Sequence, residues 1–188
     1  MRKLKLQMNI TTDGFAAGPN GELDWMEPET DKQQLQVLSE LTESMDTIIM
    51  GRKMAAEFTS YWENVVDNEQ DSPEYPYAKI FVDTHKIVFS KSISSVEGRN
   101  IVVENRDLVE SVNELKGLEG KDIIVYGGAN FVSELIKNNL IDELNLFINP
   151  TVLGDGLRIF PDRYKLRLIT STVCNNGVLI NKYRPTTD

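Results

Sequence analysis

Leu4-Lys5-Leu6-Gln7-Met8-Asn9-Ile10 alternates apolar and polar residues, the period of a half-buried strand. Thr11-Thr12-Asp13-Gly14 ends it, and Ala17-Gly18-Pro19-Asn20-Gly21 is loop chemistry. Leu35, Leu38, Leu41 and Met45 recur at helical spacing and predict an amphipathic helix over residues 30–44. Thr47-Ile48-Ile49-Met50 reads as a short buried strand that runs into Gly51-Arg52-Lys53, with a helix over 54–58. The acidic stretch 63–74 lacks periodicity, contains Pro73 and predicts a surface loop. Two strands follow, at 86–89 and 100–103, and Leu108, Val112 and Leu115 mark a helix.

The strongest passage is Asp122-Ile123-Ile124-Val125-Tyr126-Gly127-Gly128-Ala129-Asn130. A continuous apolar strand meets a glycine pair, and a helix follows with Phe131, Leu135 and Ile136 turned inward. Residues 143–148 and 166–173 read as strands, and Asn175-Asn176-Gly177 as a hairpin turn into 178–184. Strands alternating with helices predict an α/β fold, a mostly parallel twisted sheet with helices on both faces. A C-terminal antiparallel hairpin closes one edge. Nothing in the pattern divides residues 1–188, so one domain is expected.

Charge and rare residues narrow the chemistry. The 188 residues carry 20 Lys+Arg against 29 Asp+Glu, a net charge of −9, which disfavours a nucleic-acid partner. With one Cys (Cys174) and one His (His85), no internal disulfide and no Cys/His zinc site can form. Met1-Arg2-Lys3-Leu4-Lys5 is a basic start without an apolar run behind it, and no stretch is long enough to span a bilayer. A cytoplasmic protein with a reduced Cys174 is expected, with no membrane partner.

In parallel sheets ligands bind at the carboxyl ends of strands. Three segments fit: Met50-Gly51-Arg52-Lys53, Phe89-Ser90-Lys91 and Tyr126-Gly127-Gly128-Ala129-Asn130. Free backbone N–H groups at a helix start favour phosphate, and glycine permits close approach. Each segment also has a plainer reading, as a tight turn, a solvated cation or a strand cap. Neither G-x-G-x-x-G nor G-x-x-x-x-G-K-[ST] is present, which disfavours a standard Rossmann or P-loop site.

Taken in order, these segments resemble a known family. They are joined by Thr11-Thr12-Asp13-Gly14-Phe15-Ala16-Ala17, Asp24-Trp25, Met45-Asp46-Thr47-Ile48-Ile49 and Val152-Leu153-Gly154-Asp155-Gly156. Together they resemble the dihydrofolate-reductase-like superfamily, particularly the reductase domain of the bifunctional riboflavin-biosynthesis deaminase–reductase. The resemblance implies an NADPH site. Arg52, Lys53, Ser90 and Lys91 would surround the adenosine 2′-phosphate. Gly51 would lie beside them, and Gly127, Gly128, Ala129 and Asn130 would hold the pyrophosphate, with a cis Gly127–Gly128 peptide. Asn9 and Ala16 would flank the nicotinamide, and the loop from Ala17 to Asp24 would close over the site.

The substrate half departs from the pattern. The carboxylate that dihydrofolate reductases carry early in the helix after the Trp loop aligns near Thr30, between Glu29 and Asp31. A lysine of the riboflavin reductases on strand one is replaced by Gln7, and their histidine and arginine have no match among Gln33 to Glu40. Their Asp-Pro loop has none among Phe58 to Glu63, and their deaminase half has no counterpart here. Asp13 would contact a substrate hydroxyl or amine, Trp25 would wall the ring pocket, and Phe58, Tyr61 and Trp62 would line its far side. Turn chemistry and core packing are the alternatives for the same residues. Asp13 or Asp31 would supply a proton.

The expected activity is NADPH-dependent reduction of a small nitrogen heterocycle or sugar-imine. It stands nearest to 5-amino-6-(5-phosphoribosylamino)uracil reductase of riboflavin biosynthesis. A dihydrofolate reductase and a non-catalytic nucleotide-binding protein are the alternatives. The apolar stretches Leu166-Arg167-Leu168-Ile169 and Val178-Leu179-Ile180, with the resemblance, imply a homodimer.

Overall fold

The computed structural model describes residues 1–27 and 30–186. Its elements run β1 (Leu4–Thr11), β2 (Phe15–Ala17), α1 (Lys32–Glu43), β3 (Met45–Gly51), α2 (Arg52–Asn68), α3 (Tyr75–Asp83), β4 (His85–Phe89) and β5 (Ile101–Glu104). They continue as α4 (Leu108–Gly117), β6 (Asp122–Val125), α5 (Ala129–Lys137), β7 (Glu143–Asn149), β8 (Leu157–Arg158), β9 (Leu166–Val173) and β10 (Leu179–Pro185). Eight strands form one sheet in the order β5-β4-β3-β6-β1-β7-β10-β9. The first six lie parallel, and β10 and β9 close the edge antiparallel. This is the expected α/β architecture. β2 and β8 pair separately as a small ribbon that the periodicity did not reveal.

Burial explains the pattern. Ile123, Ile124 and Val125 are fully buried because both faces of β6 are covered, so the strand reads as a continuous apolar run. On one face Leu4, Leu6 and Val125 pack with Val112 of α4 and with Val132, Leu135 and Ile136 of α5. On the other, Ile48, Met50, Ile124 and Tyr126 meet Leu41 of α1, Ala55 and Phe58 of α2, and Phe81 of α3. The hairpin closes through Cys174, whose N–H donates to Val178 O at 2.9 Å, with Gly177 at φ +88° in the turn.

Two sequence readings are corrected. The helix expected over 54–58 continues to Asn68, because buried Phe58 and Val65 with half-buried Trp62 extend its apolar stripe through the acidic stretch. Behind it, Ala78, Phe81 and Val82 bury one side of α3, whose second residue is Pro76, where a missing N–H costs nothing. Lys86, fully buried, donates from Nζ to the carbonyls of Phe81, Val82 and Thr84 at 2.8, 3.0 and 2.8 Å and so closes the end of α3. In the hairpin, Val178 and Ile180 are buried beneath the chain's own α1, whereas Leu168, Ile169 and Val173 on the edge strand β9 are exposed.

Candidate functional site

A cleft of about 1290 Å³ opens at the carboxyl ends of β1, β3, β4 and β6. Two elbows form one wall. β3 turns through Gly51 into α2, and the adjacent β6 turns through Gly127 and Gly128 into α5. Gly127 and Gly128 have φ of +77° and +80°, a conformation that side chains disfavour. The elbows touch: a Cβ on Gly51 would stand 2.8 Å from Phe131 Cβ, and one on Gly128 would stand 3.9 Å from Gly51 Cα. Both helices begin without a side-chain cap, whereas α1 and α4, away from the elbows, are capped by Asp31 and Asp107. Uncapped N–H groups of two helix starts therefore face one space, with the positive ends of both dipoles.

Arg52 and Lys53 line this wall, are exposed, and have no hydrogen bond or ion pair among the described residues. β3 and β4 are neighbours, with Gly51 opposite Phe89, so the strand ends that carry Arg52 and Ser90 do lie side by side. Ser90 and Lys91 are nonetheless outside the cleft lining. Lys91 Nζ donates to Asn105 O and Arg106 O, both at 2.7 Å, and Ser90 Oγ accepts the Ser92 N–H at 3.1 Å. Their polar atoms organise the loop after β4, and the cations at the elbow are Arg52 and Lys53. The Gly127–Gly128 peptide is trans.

Asn9 and Ala16 line the floor as expected, together with Gln7 and Met8 of β1. Asn9 Oδ1 accepts from Asn149 Nδ2 at 3.2 Å, which fixes its carboxamide. The loop over the cleft is shaped by Glu22, which accepts from the Asn20 N–H and Nδ2 at 2.9 and 2.7 Å. At the far end, Phe58, Phe81 and Tyr126 pack with ring centroids 5.4–5.9 Å apart, and Trp62 joins them at 4.7 Å from Phe81. Tyr77 completes this aromatic end. Phe58 and Trp62 stand where the sequence placed them. Tyr61 turns away to donate to Glu74 Oε2 at 2.5 Å, which pushes its hydroxyl pKa up to about 12.

The three remaining candidates are not in the lining. Asp13 accepts from Thr11 Oγ1 at 2.6 Å, Gly154 N–H at 2.8 Å and Leu153 N–H at 3.3 Å. The Thr11 hydroxyl first, and then these amides, hold its carboxyl below the usual range against partial desolvation. Asp31 caps α1 through the Gln33 N–H at 2.7 Å and accepts from Asn175 Nδ2 at 2.8 Å. Desolvation raises its pKa, but the bonds from Gln33 and Asn175 outweigh it, so the net shift is downward. Trp25 is buried, with Nε1 donating to Glu22 O at 3.0 Å. Turn and cap geometry thus wins over chemistry at Asp13 and Asp31, and core packing wins at Trp25. Glu29 lies outside the described residues. Among the described lining residues the carboxylates are Glu57 and Glu74. No group of His, Cys, Asp or Glu able to hold a metal occurs among the described residues.

Tyr77 and Phe81 escaped the sequence reading because α3 did. Tyr126 was read only as the end of an apolar strand. Its hydroxyl is buried without a partner, and burial raises its pKa.

The RibD C-terminal domain model matches residues 2–180. The chain belongs to that family. It is 34% identical to YyaP of Bacillus subtilis over 181 residues, which cover 95% of this chain and 92% of that protein. It is 24% identical to the riboflavin biosynthesis protein RibD of Corynebacterium ammoniagenes over 82% of this chain but 44% of that longer protein. The RibD-type fold recurs in a putative riboflavin biosynthesis protein from Shewanella sp. PV-4, with TM-score 0.73, 21% identity and full coverage of both chains. It recurs also in the deaminase/5-amino-6-(5-phosphoribosylamino)uracil reductase of Thermotoga maritima, with TM-score 0.66 and 18% identity over 98% of this chain and 57% of that one. No helix among the described residues is long and apolar enough to cross a membrane.

Proposed function

We propose that the protein is an NADPH-dependent reductase of a small nitrogen heterocycle, working in the cytoplasm. Its reaction class is that of the uracil reductase step named for its RibD-type neighbours. The observation that carries this reading is the pair of touching, uncapped glycine elbows with Arg52 and Lys53 uncommitted beside them. A dinucleotide offers three phosphate groups, and this wall offers helix-start N–H groups and two cations within one cleft.

The glycines fit the group: side chains at Gly51 or Gly127 would fill space taken by Phe131 Cβ or Met54 Sδ. Gly127 to Asn130 would hold the pyrophosphate, Arg52 and Lys53 the ribose phosphate, and Asn9 and Ala16 the nicotinamide edge. When bound, the nicotinamide supplies the hydride. The chain's own residues orient the two rings, and the aromatic end excludes water from the space between them. With Asp13 and Asp31 committed elsewhere, the proton comes from solvent at the cleft mouth.

The exposed Leu168, Ile169 and Val173 of edge strand β9 support a homodimer built there, since a bare apolar edge strand invites pairing. Sedimentation at monomer mass across micromolar concentrations would reject the dimer. The reductase reading is tested by titrating the protein with NADPH and following nucleotide fluorescence. Saturable binding that Gly127→Val abolishes, while that variant keeps the wild-type circular dichroism, is expected. Absence of NADPH binding by the wild type would overturn it.

A further inference from the structure

We propose that the aromatic end of the cleft takes a flat, uncharged heterocycle with a lactam edge and no phosphate, and that Gln7 and Tyr126 recognise it. The inference deepens the reductase reading and rests on it for the ring's role as substrate.

Register brings the two residues together. Leu6 of β1 pairs with Val125 of β6, and both face the α4/α5 side. The next residues, Gln7 and Tyr126, therefore lie beside each other on the opposite face, on strands about 4.8 Å apart. Both line the cleft. The Gln7 side chain has no hydrogen bond among the described residues, and it is half-buried. Tyr126 is 7% exposed and its hydroxyl has no partner. Buried polar groups are nearly always paired, so an orphan hydroxyl beside a free carboxamide in a cavity marks a ligand's place. A carboxamide presents one acceptor and one donor side by side, the complement of a ring –NH–C(=O)– edge. A hydroxyl beside it serves a second ring heteroatom, and the rings of Phe58, Phe81 and Trp62 supply flat apolar walls.

Charge decides against a phosphate here. Among the described lining residues the cations are Arg52 and Lys53, at the elbow wall. Phe58 lies six residues further along α2, about 9 Å down its axis. The charged side chains of the lining at or beyond that turn are carboxylates, Glu57 and Glu74. A phosphate among them would lose water, meet like charge and find no cation.

The experiment uses the full chain without nucleotide and follows tryptophan quenching by lumazine, a neutral bicyclic dilactam, and by 1,3-dimethyllumazine, whose lactam N–H groups are blocked. Saturable lumazine binding is expected, with the dimethyl compound weaker. Gln7→Leu and Tyr126→Phe should each weaken lumazine about fivefold, the scale of one hydrogen bond, and leave the dimethyl compound within about twofold. Tyr126→Phe should keep or raise the melting temperature, because it removes an unpaired buried hydroxyl. Uridine should displace lumazine at lower concentration than uridine 5′-monophosphate does. No saturable lumazine binding, equal binding of both lumazines, silent variants, or better displacement by the monophosphate would each overturn the proposal. Lumazine binding without NADPH binding sinks the reductase reading alone. NADPH binding without lumazine binding sinks this inference alone.

Discussion

Arg52→Ala is the sharpest perturbation of the nucleotide site. NADPH and NADH differ by one ribose phosphate, and a chain of net charge −9 repels it unless local cations outweigh the background. The structure reduces the four residues that the sequence offered to two. Lys91 spends its ammonium on the carbonyls of Asn105 and Arg106, and Ser90 Oγ is bonded within its own loop. Arg52 stands free beside Lys53 at the uncapped start of α2. A guanidinium holds phosphate oxygens bidentately where an ammonium is a point charge, so Arg52 carries most of the preference. Hydrogen bonds to charged groups contribute about 1.5–3 kcal/mol, which is about ten- to a hundredfold in Kd. The site is open to solvent, so the loss should lie near tenfold and shrink as salt is raised. The assay is fluorescence titration of wild type, Arg52→Ala, Lys53→Ala and Lys91→Ala with NADPH and NADH at two ionic strengths. Arg52→Ala should weaken NADPH and spare NADH, Lys53→Ala should do so less, and Lys91→Ala should change neither. Equal wild-type affinities, an Arg52→Ala loss shared by both nucleotides, or a selective loss in Lys91→Ala would refute the reasoning.

Gly51→Ala places a methyl 2.8 Å from Phe131 Cβ and should cost about 1–3 kcal/mol by overpacking. An unchanged urea midpoint would show that the elbows are not in tight contact. Lys86→Met leaves three carbonyls at the end of α3 without their donor and should destabilise by about 1–3 kcal/mol. Burial also pulls the Lys86 ammonium down from 10.5 to about 8, so the folded chain sheds this proton before the unfolded one does. The stability linked to it is full above 10.5 and lost as pH falls through 8, and a urea series over that window should show the rise in wild type but not in Lys86→Met. Asp13 titrates below its ordinary 3.8 in the folded chain, so its contribution is present above that value and lost as pH falls through the lowered one. Asp13→Asn should flatten that acid limb, and it should leave NADPH affinity unchanged if the carboxylate only ties the loop at Leu153 and Gly154.

The cofactor wall was legible in the sequence because backbone demands single residue types. Only glycine sits easily at the φ of +77° and +80° that Gly127 and Gly128 adopt, and only glycine lets Gly51 approach Phe131 so closely. A strand of continuous apolar residues before each elbow follows directly from burial on both faces. The substrate half was less legible because its residues obey two rules at once. Asp13 and Asp31 look like catalytic carboxylates, yet Asp also terminates turns and caps helices, and hydrogen bonds to the Leu153 and Gly154 amides and to Asn175 are tertiary facts that spacing does not encode. The acidic stretch after Glu63 hid a helix because its apolar stripe is thin, and with α3 went Tyr77 and Phe81.

The same reasoning explains why a neutral residue matters at position 7. On β1 the polar residues Lys5, Gln7 and Asn9 share one face, but two of them are spoken for. Lys5 pairs with Asp122 at 2.7 Å and Asn9 accepts from Asn149, whereas Gln7 reaches the cleft with its carboxamide uncommitted. A cation here would stand next to the aromatic end and attract an anionic substituent. A carboxamide instead offers direction without charge, and with Tyr126 beside it the pocket selects by hydrogen-bond pattern. Cations at the elbows and uncharged donors at the aromatic end thus divide one cleft into a phosphate half and a ring half, and that division follows from which strand end each residue occupies.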